Sequence, residues 1–171
     1  MRIAILSDSH DHIPNLKRAV RLANSEGAEL LIHCGDLISP FMLPCLDGFN
    51  GPVHLIYGNN PGDQHLIAAR CATDFSRLHH HGTHGSFQAG ALRIGICHYP
   101  DLARDLAASG SFDLVCCGHD HVWAVERLGS CLLVNPGDLL GKDANPAFAL
   151  VDTGDSSVRR IEVGLQLPQD D

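Results

Sequence analysis

The stretch "LVCCGHDHVW", residues 114–123, joins a short apolar run to two histidines that are one residue apart. The apolar run is typical of a buried strand, and Gly118 marks the turn at its end. If the strand continues through His119 and His121, the alternation of side chains places both imidazoles on one face. That arrangement suits a shared metal ion and an ordinary polar strand end equally well. The other ligands of a metal site therefore have to come from elsewhere in the chain.

Four other apolar runs also end in side chains that bind metals. They are "IAIL" before "SDSH" (3–10), "LLI" before "HCGD" (30–36), "HLIY" before "GNN" (54–60) and "RIGI" before "CHY" (93–99). In sheets with crossover helices, ligands gather beyond the carboxyl ends of the strands. Five endings of the same kind therefore predict one shared site.

The order of apolar patterns predicts the fold class. Strands alternate with helices in the first half of the chain, whereas hairpins dominate the second half. We predict strands at 2–6, 29–33, 53–57, 85–97 (two strands), 113–117, 123–128, 131–135, 148–152 and 157–163, and helices at 13–27, 40–46, 63–72 and 100–109. This is an α/β (α+β) pattern in which two mixed sheets pack together under helices. We expect a single domain over residues 1–171, with a frayed tail at about 165–171.

Composition narrows the class of protein. The chain has 171 residues, of which 44% are hydrophobic and 19% charged, as in ordinary globular domains. No apolar stretch is long enough to span a membrane, and the N-terminus does not resemble a signal peptide, so we expect a cytoplasmic protein. The formal net charge is −8, and no cluster of lysine and arginine predicts a nucleic-acid-binding patch.

The cysteines and the remaining histidines predict little chemistry. Seven cysteines without a C-x-x-C spacing favour free thiols over a disulfide framework. The segment "HHHGTHG" (79–85) has no apolar strand to position it, and we interpret it as a mobile surface loop. His33 is predicted to be a buried histidine with satisfied hydrogen bonds, and His54 has no predicted role.

The five strand ends supply seven oxygen and nitrogen donors. They are Asp8, His10, Asp36, Asn59, His98, His119 and His121. Seven donors are too many for one ion but suit two ions that share a bridging carboxylate. The mixture of carboxylate, amide and imidazole without thiolate favours Mn²⁺, Fe²⁺ or Zn²⁺ over Ca²⁺. Two ions about 3.5–4 Å apart can hold a hydroxide between them and contact the attacking and departing oxygens of a phosphoester.

The ordered set of motifs resembles the calcineurin-like metallophosphoesterase family. The motifs are Asp8-Ser-His10, Gly35-Asp36, Gly58-Asn59, His98 and Gly118-His119-Asp120-His121. The short chain and "NPGD" at 135–138 are similar to the small bacterial and archaeal phosphodiesterases of that superfamily. The resemblance implies a four-layer αββα sandwich. It also implies in-line attack on a small phosphoester, favouring a diester, by a hydroxide that bridges two divalent ions.

The resemblance also assigns the ligands. It implies that Asp8, His10 and His121 hold one ion and that Asn59, His98 and His119 hold the other. Asp36 would bridge the two ions. Mn²⁺ is the favoured metal, with Fe²⁺, Zn²⁺ and Ni²⁺ as alternatives.

Two other functions compete with this interpretation. A catalytically weak scaffold of the same fold, like the retromer subunit, is the first alternative, but a docking protein has no need of seven donors. A different binuclear hydrolase is the second, but the Asp-x-His start of this chain differs from the His-x-His clusters of those enzymes. Exposed hairpin edges could in addition pair two copies into a homodimer.

This chain departs from the family pattern most clearly at Asn60. The family commonly has His there, and Asn cannot donate a proton as a general acid. We expect a dependence on good leaving groups, with His12 and His65 as weak substitutes for the missing acid.

Four other residues differ from the family pattern, and we expect smaller effects from them. Asp63 is expected to cap a helix, and Asp120, which replaces a usual Thr, to face away from the metals because of strand alternation. Tyr99 replaces a common Gly and could narrow the pocket. Asp138 replaces a usual Ser, with no predicted effect.

Overall fold

The computed structural model describes residues 1–164, which form eleven strands and four α-helices. The strands are β1 (Arg2–Leu6), β2 (Leu30–His33), β3 (Val53–Leu55), β4 (Leu78–His80), β5 (His84–Ala89), β6 (Leu92–Cys97), β7 (Leu114–Cys116), β8 (Trp123–Leu128), β9 (Cys131–Pro136), β10 (Ala147–Asp152) and β11 (Ser157–Glu162). The helices are α1 (Ile13–Ser25), α2 (Leu43–Asp47, after a 3₁₀ turn at Pro40–Met42), α3 (Gln64–Thr73) and α4 (Pro100–Ala108).

The strands form two mixed sheets, as predicted. The first has the order β11-β10-β1-β2-β3-β4, in which β1 to β4 are parallel and β10 and β11 antiparallel. The second has the order β5-β6-β7-β9-β8, in which β6, β7 and β9 are parallel. The carboxyl ends of the parallel strands therefore lie together at one edge of each sheet.

Alternation along β1 shows how the layers pack. Ile3 and Ile5 belong to the apolar cluster between the two sheets, whereas Ala4 and Leu6 pack in the cluster that includes residues of α1, α2 and α3. Helix α4 packs on the outer face of the second sheet through Ala103. The four layers are thus helices, sheet, sheet and helix, which confirms the αββα sandwich.

Local sequence signals set the helix ends that face the site. The buried face of α1 is formed by Leu16, Ala19, Val20 and Ala23, at the predicted spacing. The side chain of His12 accepts a hydrogen bond from the amide of Asn15 at 3.2 Å and caps the start of α1. Asp63 caps α3 in the same way, accepting from the amide of Leu66 at 2.9 Å, which confirms its predicted role.

The prediction of a mobile loop at residues 79–85 is wrong. His79 and His80 belong to β4 and His84 opens β5, so only three residues connect the two strands. Strand β4 pairs with β3, with His54 opposite His79, and it is anchored by Leu78, which is 2% exposed. A single apolar residue is too weak a signal to show this strand in the sequence, because the pairing with β3 stabilises it.

Other sequence predictions have simple outcomes. All seven cysteines lie within the described residues and are buried free thiols. Among residues 1–164, no helix is long and apolar enough to cross a membrane. The predicted frayed tail at 165–171 lies outside the described residues, and the single-domain organisation stays a prediction.

Candidate metal centre

Five loops converge where the carboxyl ends of the parallel strands of both sheets meet. They follow β1, β2, β3, β6 and β7, and they carry the seven predicted donors. Hydrogen bonds join the edges of the two sheets. The amide of His119 donates to Asp8 Oδ2 at 3.0 Å, and His98 Nδ1 lies 2.8 Å from the carbonyl oxygen of Cys34.

One group of donors surrounds the carboxylate of Asp8, which is fully buried. Asp8 Oδ1 lies 3.5 Å from His121 Nε2 and 3.7 Å from His10 Nε2. These distances are too long for good hydrogen bonds but suit atoms that share a cation. The three side chains therefore form one candidate cation site.

A second group of donors, formed by His98, Asn59 and His119, also lies near Asp36. His98 Nε2 is 3.7 Å from Asp36 Oδ2 and 2.9 Å from Asn59 Oδ1, and His119 Nδ1 is 2.8 Å from the same amide oxygen. Asp36 Oδ2 is also 3.6 Å from His10 Nε2 in the first group. The structure thus brings all seven predicted donors together. Asp36 and Asp8 both lie near donors of the two groups, since Asp8 Oδ1 is also 4.0 Å from His98 Nε2.

Unpaired polar atoms test whether these residues fit a metal. Asp8 Oδ1 and His10 Nε2 are buried and have no hydrogen-bond partner within residues 1–164. Leaving a buried polar atom without a partner costs about 1–3 kcal/mol. Because the two atoms face each other and are both metal-ligand atoms, the donor set fits a divalent cation.

The electrostatics of the cluster also favour a cation. Interaction with Asp8 raises the pKa of His10 against the effect of burial, and Asp36 and Asp138 act in the same direction. Burial opposes ionisation of Asp8, but the neighbouring His10 and Ser7 hold its pKa below the ordinary value. The buried carboxylate of Asp8 thus keeps its negative charge, which attracts a positive charge to the site.

The backbone of the ligand loops is strained. Eight non-glycine residues among the described ones have positive φ, and seven of them lie in the loops after β1, β2 and β7. Five of the seven are predicted metal ligands, namely Asp8, His10, Asp36, His119 and His121. Such conformations cost about 1–3 kcal/mol each and concentrate at functional sites.

The positive φ values also show that His119 and His121 do not lie on one face of a continuing strand. Strand β7 ends at Cys116, and His119 and His121 have φ of 77° and 61°, so they are not alternating strand residues. Their imidazoles diverge: His119 contacts Asn59, whereas His121 approaches Asp8. Two histidines one residue apart can therefore face different groups of donors.

Asp120, between them, does turn away from the cluster, but strand alternation is not the reason. Its carboxylate accepts hydrogen bonds from Asn135 Nδ2 at 2.7 Å and from the amide of Val122 at 3.0 Å. The predicted orientation is thus confirmed and its predicted cause is wrong.

Residues that sequence reasoning left without a role hold the donors in place. Asn60 donates to both carboxylate oxygens of Asp36, from its amide at 2.7 Å and from Nδ2 at 2.6 Å. Asp138 Oδ2 lies 2.6 Å from His121 Nδ1. The motifs "GNN" and "NPGD" were the available signals, but neither shows which side chain it contacts.

Two glycines are required by close packing around the carboxylates. A Cβ on Gly58 would collide with Asp36 Oδ1, and a Cβ on Gly118 would collide with Ser7 Oγ and lie 2.5 Å from Asp8 Oδ2. Both contacts are too short for any side chain, which explains the glycines in the motifs that carry Asn59 and His119.

The two histidines predicted as weak substitutes for a general acid have no observed contact with the seven donors within the part of the chain that the structure describes. His12 uses Nδ1 to cap α1, and His65 is exposed on α3. Tyr99 is 46% exposed, and its ring lies 4.7 Å from that of His119, so it forms one wall of the site.

Two histidines outside the donor set, buried His33 and half-buried His54, have contacts of their own. His33 is fully buried and lies 3.1 Å from Ser9 Oγ through Nε2, but its Nδ1 has no partner in the described part of the chain. The prediction of satisfied hydrogen bonds is therefore only half right. His54 stacks on Phe87 and lies 2.8 Å from His81 Nε2 through Nδ1.

Comparison with known sequences identifies relatives. The family model for the calcineurin-like phosphoesterase superfamily domain matches residues 1–156. A phosphodiesterase of Methanocaldococcus jannaschii is 29% identical, over 94% of this chain and 98% of the relative. A protein of Methanothermobacter thermautotrophicus, named as a probable metallophosphoesterase, is 32% identical over 80% of this chain and 76% of its own length.

Comparison with solved structures identifies proteins of the same fold. A structure described as a novel archaeal phosphodiesterase superposes with a TM-score of 0.86 at 29% identity, covering 95% of this chain and 99% of that one. Wild-type Vps29 of Entamoeba histolytica, crystallised with Zn²⁺, shares the fold with a TM-score of 0.66 at 16% identity, over 96% of this chain and all of that one. From the extent of the family match, this chain belongs to the calcineurin-like phosphoesterase superfamily.

Proposed function

We propose that this protein is a metal-dependent phosphodiesterase that hydrolyses a small phosphoester at the cluster of seven donors. The observation that carries the proposal is the pair of buried, unpartnered atoms Asp8 Oδ1 and His10 Nε2, which face each other 3.7 Å apart. Diester chemistry is favoured because the relative of M. jannaschii that covers nearly the whole chain is named a phosphodiesterase.

The donors would hold two ions in two overlapping groups. We assign Asp8, His10 and His121 to one ion, Asn59, His98 and His119 to the other, and Asp36 to both. When bound, two divalent ions would activate a water molecule as the nucleophile and neutralise charge on the phosphoryl group. The contact of His98 Nδ1 with the carbonyl oxygen of Cys34 leaves its Nε2 lone pair directed at the site.

The residues around the donors limit the chemistry. Asn60 orients Asp36 through two hydrogen bonds and has no acidic proton to give to a leaving group. Tyr99 stands beside His119 and restricts the space for bulky substrates. The site should therefore act best on compact esters whose leaving group departs without protonation.

A docking protein of the same fold is the alternative, since Vps29 shares the fold. A chromogenic diester, bis(4-nitrophenyl) phosphate, separates the two. We expect metal-free protein to be inactive, Mn²⁺ to give hydrolysis, and excess chelator to abolish it. The Asp8→Asn variant should lose activity, whereas Asp101→Asn, which changes an exposed carboxylate on α4, should keep it. Lack of hydrolysis with every divalent ion would support the scaffold.

Three further predictions accompany this function. Mn²⁺ is the proposed metal, because the donors are borderline to hard and contain no thiolate. The cytoplasm is the proposed location. A homodimer is proposed on the basis of exposed strand edges. In the described structure the outermost strands are β11 and β4 in the first sheet and β5 and β8 in the second.

A further inference from the structure

The carboxylate of Asp138 contacts Nδ1 of His121, the ring nitrogen that does not face Asp8. Asp138 is 7% exposed, and its Oδ2 lies 2.6 Å from His121 Nδ1. A carboxylate at this distance accepts a hydrogen bond, so the imidazole carries its proton on Nδ1. The lone pair of Nε2 then points toward Asp8 Oδ1, 3.5 Å away.

The Asp138 carboxylate is itself held firmly. Its Oδ1 accepts a hydrogen bond from the amide of Gly141 at 2.6 Å, which leaves Oδ2 directed at His121. A short, charge-assisted hydrogen bond from a fixed acceptor restricts both the tautomer and the rotation of the ring.

The segment around Asp138 binds two ligand loops at once. The amides of Leu139 and Leu140 donate to the carbonyl oxygens of Ser7 and Asp8 at 3.1 and 3.0 Å. On the other side, Asn135 Nδ2 donates to the carbonyl oxygen of Gly118 at 3.0 Å. The segment thus connects the loop of Asp8 to the loop of His121, and Asp138 adds the only one of these contacts that reaches a ligand imidazole.

We propose that Asp138 is a positioning residue that selects the Nδ1–H tautomer of His121 and so sets the affinity of the ion held by Asp8, His10 and His121. The proposal rests on the proposed function for the existence of that ion. His121 has φ of 61°, and such a backbone conformation persists only where surrounding contacts determine it, as the hydrogen bond to Asp138 helps to do. Because Asp138 does not contact the second group of donors, its effect should be confined to one of the two ions.

The first experiment reads the tautomer in metal-free protein. Long-range ¹H–¹⁵N NMR spectra of the imidazoles, assigned with His121→Asn, distinguish Nδ1–H from Nε2–H. We expect Nδ1–H for His121 in the unsubstituted protein. In Asp138→Ala the acceptor is lost, and we expect His121 to shift to Nε2–H.

The second experiment titrates the same proteins with Mn²⁺ by calorimetry. Loss of such a carboxylate behind a ligand histidine costs roughly 10–100-fold in metal affinity. We expect that loss for one of two equivalents in Asp138→Ala, a smaller loss in Asp138→Asn, and none in Asp143→Asn, a control that changes an exposed carboxylate nearby.

The outcomes separate this proposal from the proposed function. If His121 keeps Nδ1–H in Asp138→Ala, or if that variant binds both equivalents of Mn²⁺ as tightly as the unsubstituted protein, the positioning role is refuted. If the unsubstituted protein binds no divalent ion, the proposed function is refuted, while the tautomer spectra still decide what Asp138 does to His121. The isosteric Asp138→Asn guards against loss of folding as an explanation.

Discussion

Asp36 is one of two carboxylates that lie close to donors of both groups, the other being Asp8. Asp36 Oδ2 lies 3.6 Å from His10 Nε2 and 3.7 Å from His98 Nε2, one in each group. Asn60 holds both carboxylate oxygens in place, and Gly58 leaves the room that they need. A side chain in this position can affect both ions.

The Asp36→Ala variant should therefore lose both ions together. Removing a bridging carboxylate takes one ligand from each site and leaves the remaining imidazoles without its charge. Metal analysis of the purified variant should show that both equivalents are strongly reduced relative to the unsubstituted protein. Asp101→Ala is the matched control. Retention of one full equivalent in Asp36→Ala would contradict the bridge.

The sequence predicted which donors would lie together, but not which residues hydrogen-bond to them. The seven donors follow apolar runs, and that pattern is visible without a structure. The contacts of Asn60 with Asp36 and of Asp138 with His121 join residues 24 and 17 positions apart. Such contacts depend on how two loops pack, and residue type alone does not specify this.

Among the elements, the loop after β7 packs closely against another ligand loop. Gly118 lies against Ser7 and Asp8, and the amide of His119 donates to Asp8 Oδ2. The backbone of one loop therefore fixes a carboxylate on another.

We expect Gly118→Ala to weaken metal binding and to lower the free energy of unfolding. The added methyl group would displace Asp8 or the loop itself, and overpacking of this kind typically costs about 1–3 kcal/mol. Urea denaturation measures the stability and Mn²⁺ titration the affinity. Gly154→Ala is the control, because its Cβ would approach nothing closer than 3.3 Å. Equal effects of the two substitutions would refute the steric argument.

The strands that flank the site differ in how well the sequence shows them. Strand β1 occurs at the predicted residues, because five consecutive residues carry its signal. Strand β4 was missed, because two of its three residues are histidines and its partner β3 determines its place. Short strands of this kind are stabilised by their neighbours more than by their own composition.

The histidines of β3 and β4 should make stability depend on pH. Burial lowers the pKa of His54 and of His80 to about 4, so both are neutral in the folded protein near neutral pH. Unfolding restores an ordinary pKa of about 6.5, and the unfolded chain then binds more protons than the folded one between these values. Stability is thus fully present above pH of about 6.5 and falls as the pH decreases toward 4.

The His54→Phe variant tests this dependence, because Phe can keep the stacking on Phe87 without titrating. Urea unfolding at neutral pH and about two pH units lower, with chelator present, should show a smaller loss for the variant. For a half-buried group we expect a difference of several tenths to about 1 kcal/mol. Equal losses in the two proteins would show that His54 does not contribute.

In the whole molecule, the cluster of donors depends on all five ligand loops together. The donors come from both sheets, so the site exists only when the two sheets pack face to face. The −8 charge of the chain would repel a phosphate anion, and the proposed cations would reverse that charge locally. Asn60 donates hydrogen bonds to Asp36 and holds it in place. Its amide group cannot protonate a departing oxygen.

The rate should therefore depend steeply on the leaving group. Without a proton donor, the barrier rises with the basicity of the departing oxygen, so kcat/KM should fall across aryl phosphodiesters as the pKa of the leaving phenol increases. His12→Asn and His65→Asn should leave this slope unchanged, because His12 caps α1 and His65 is exposed on α3. A slope that steepens in either variant would identify that histidine as the acid. A flat dependence in the unsubstituted protein would mean that the chain protonates its leaving group after all, through a donor other than Asn60.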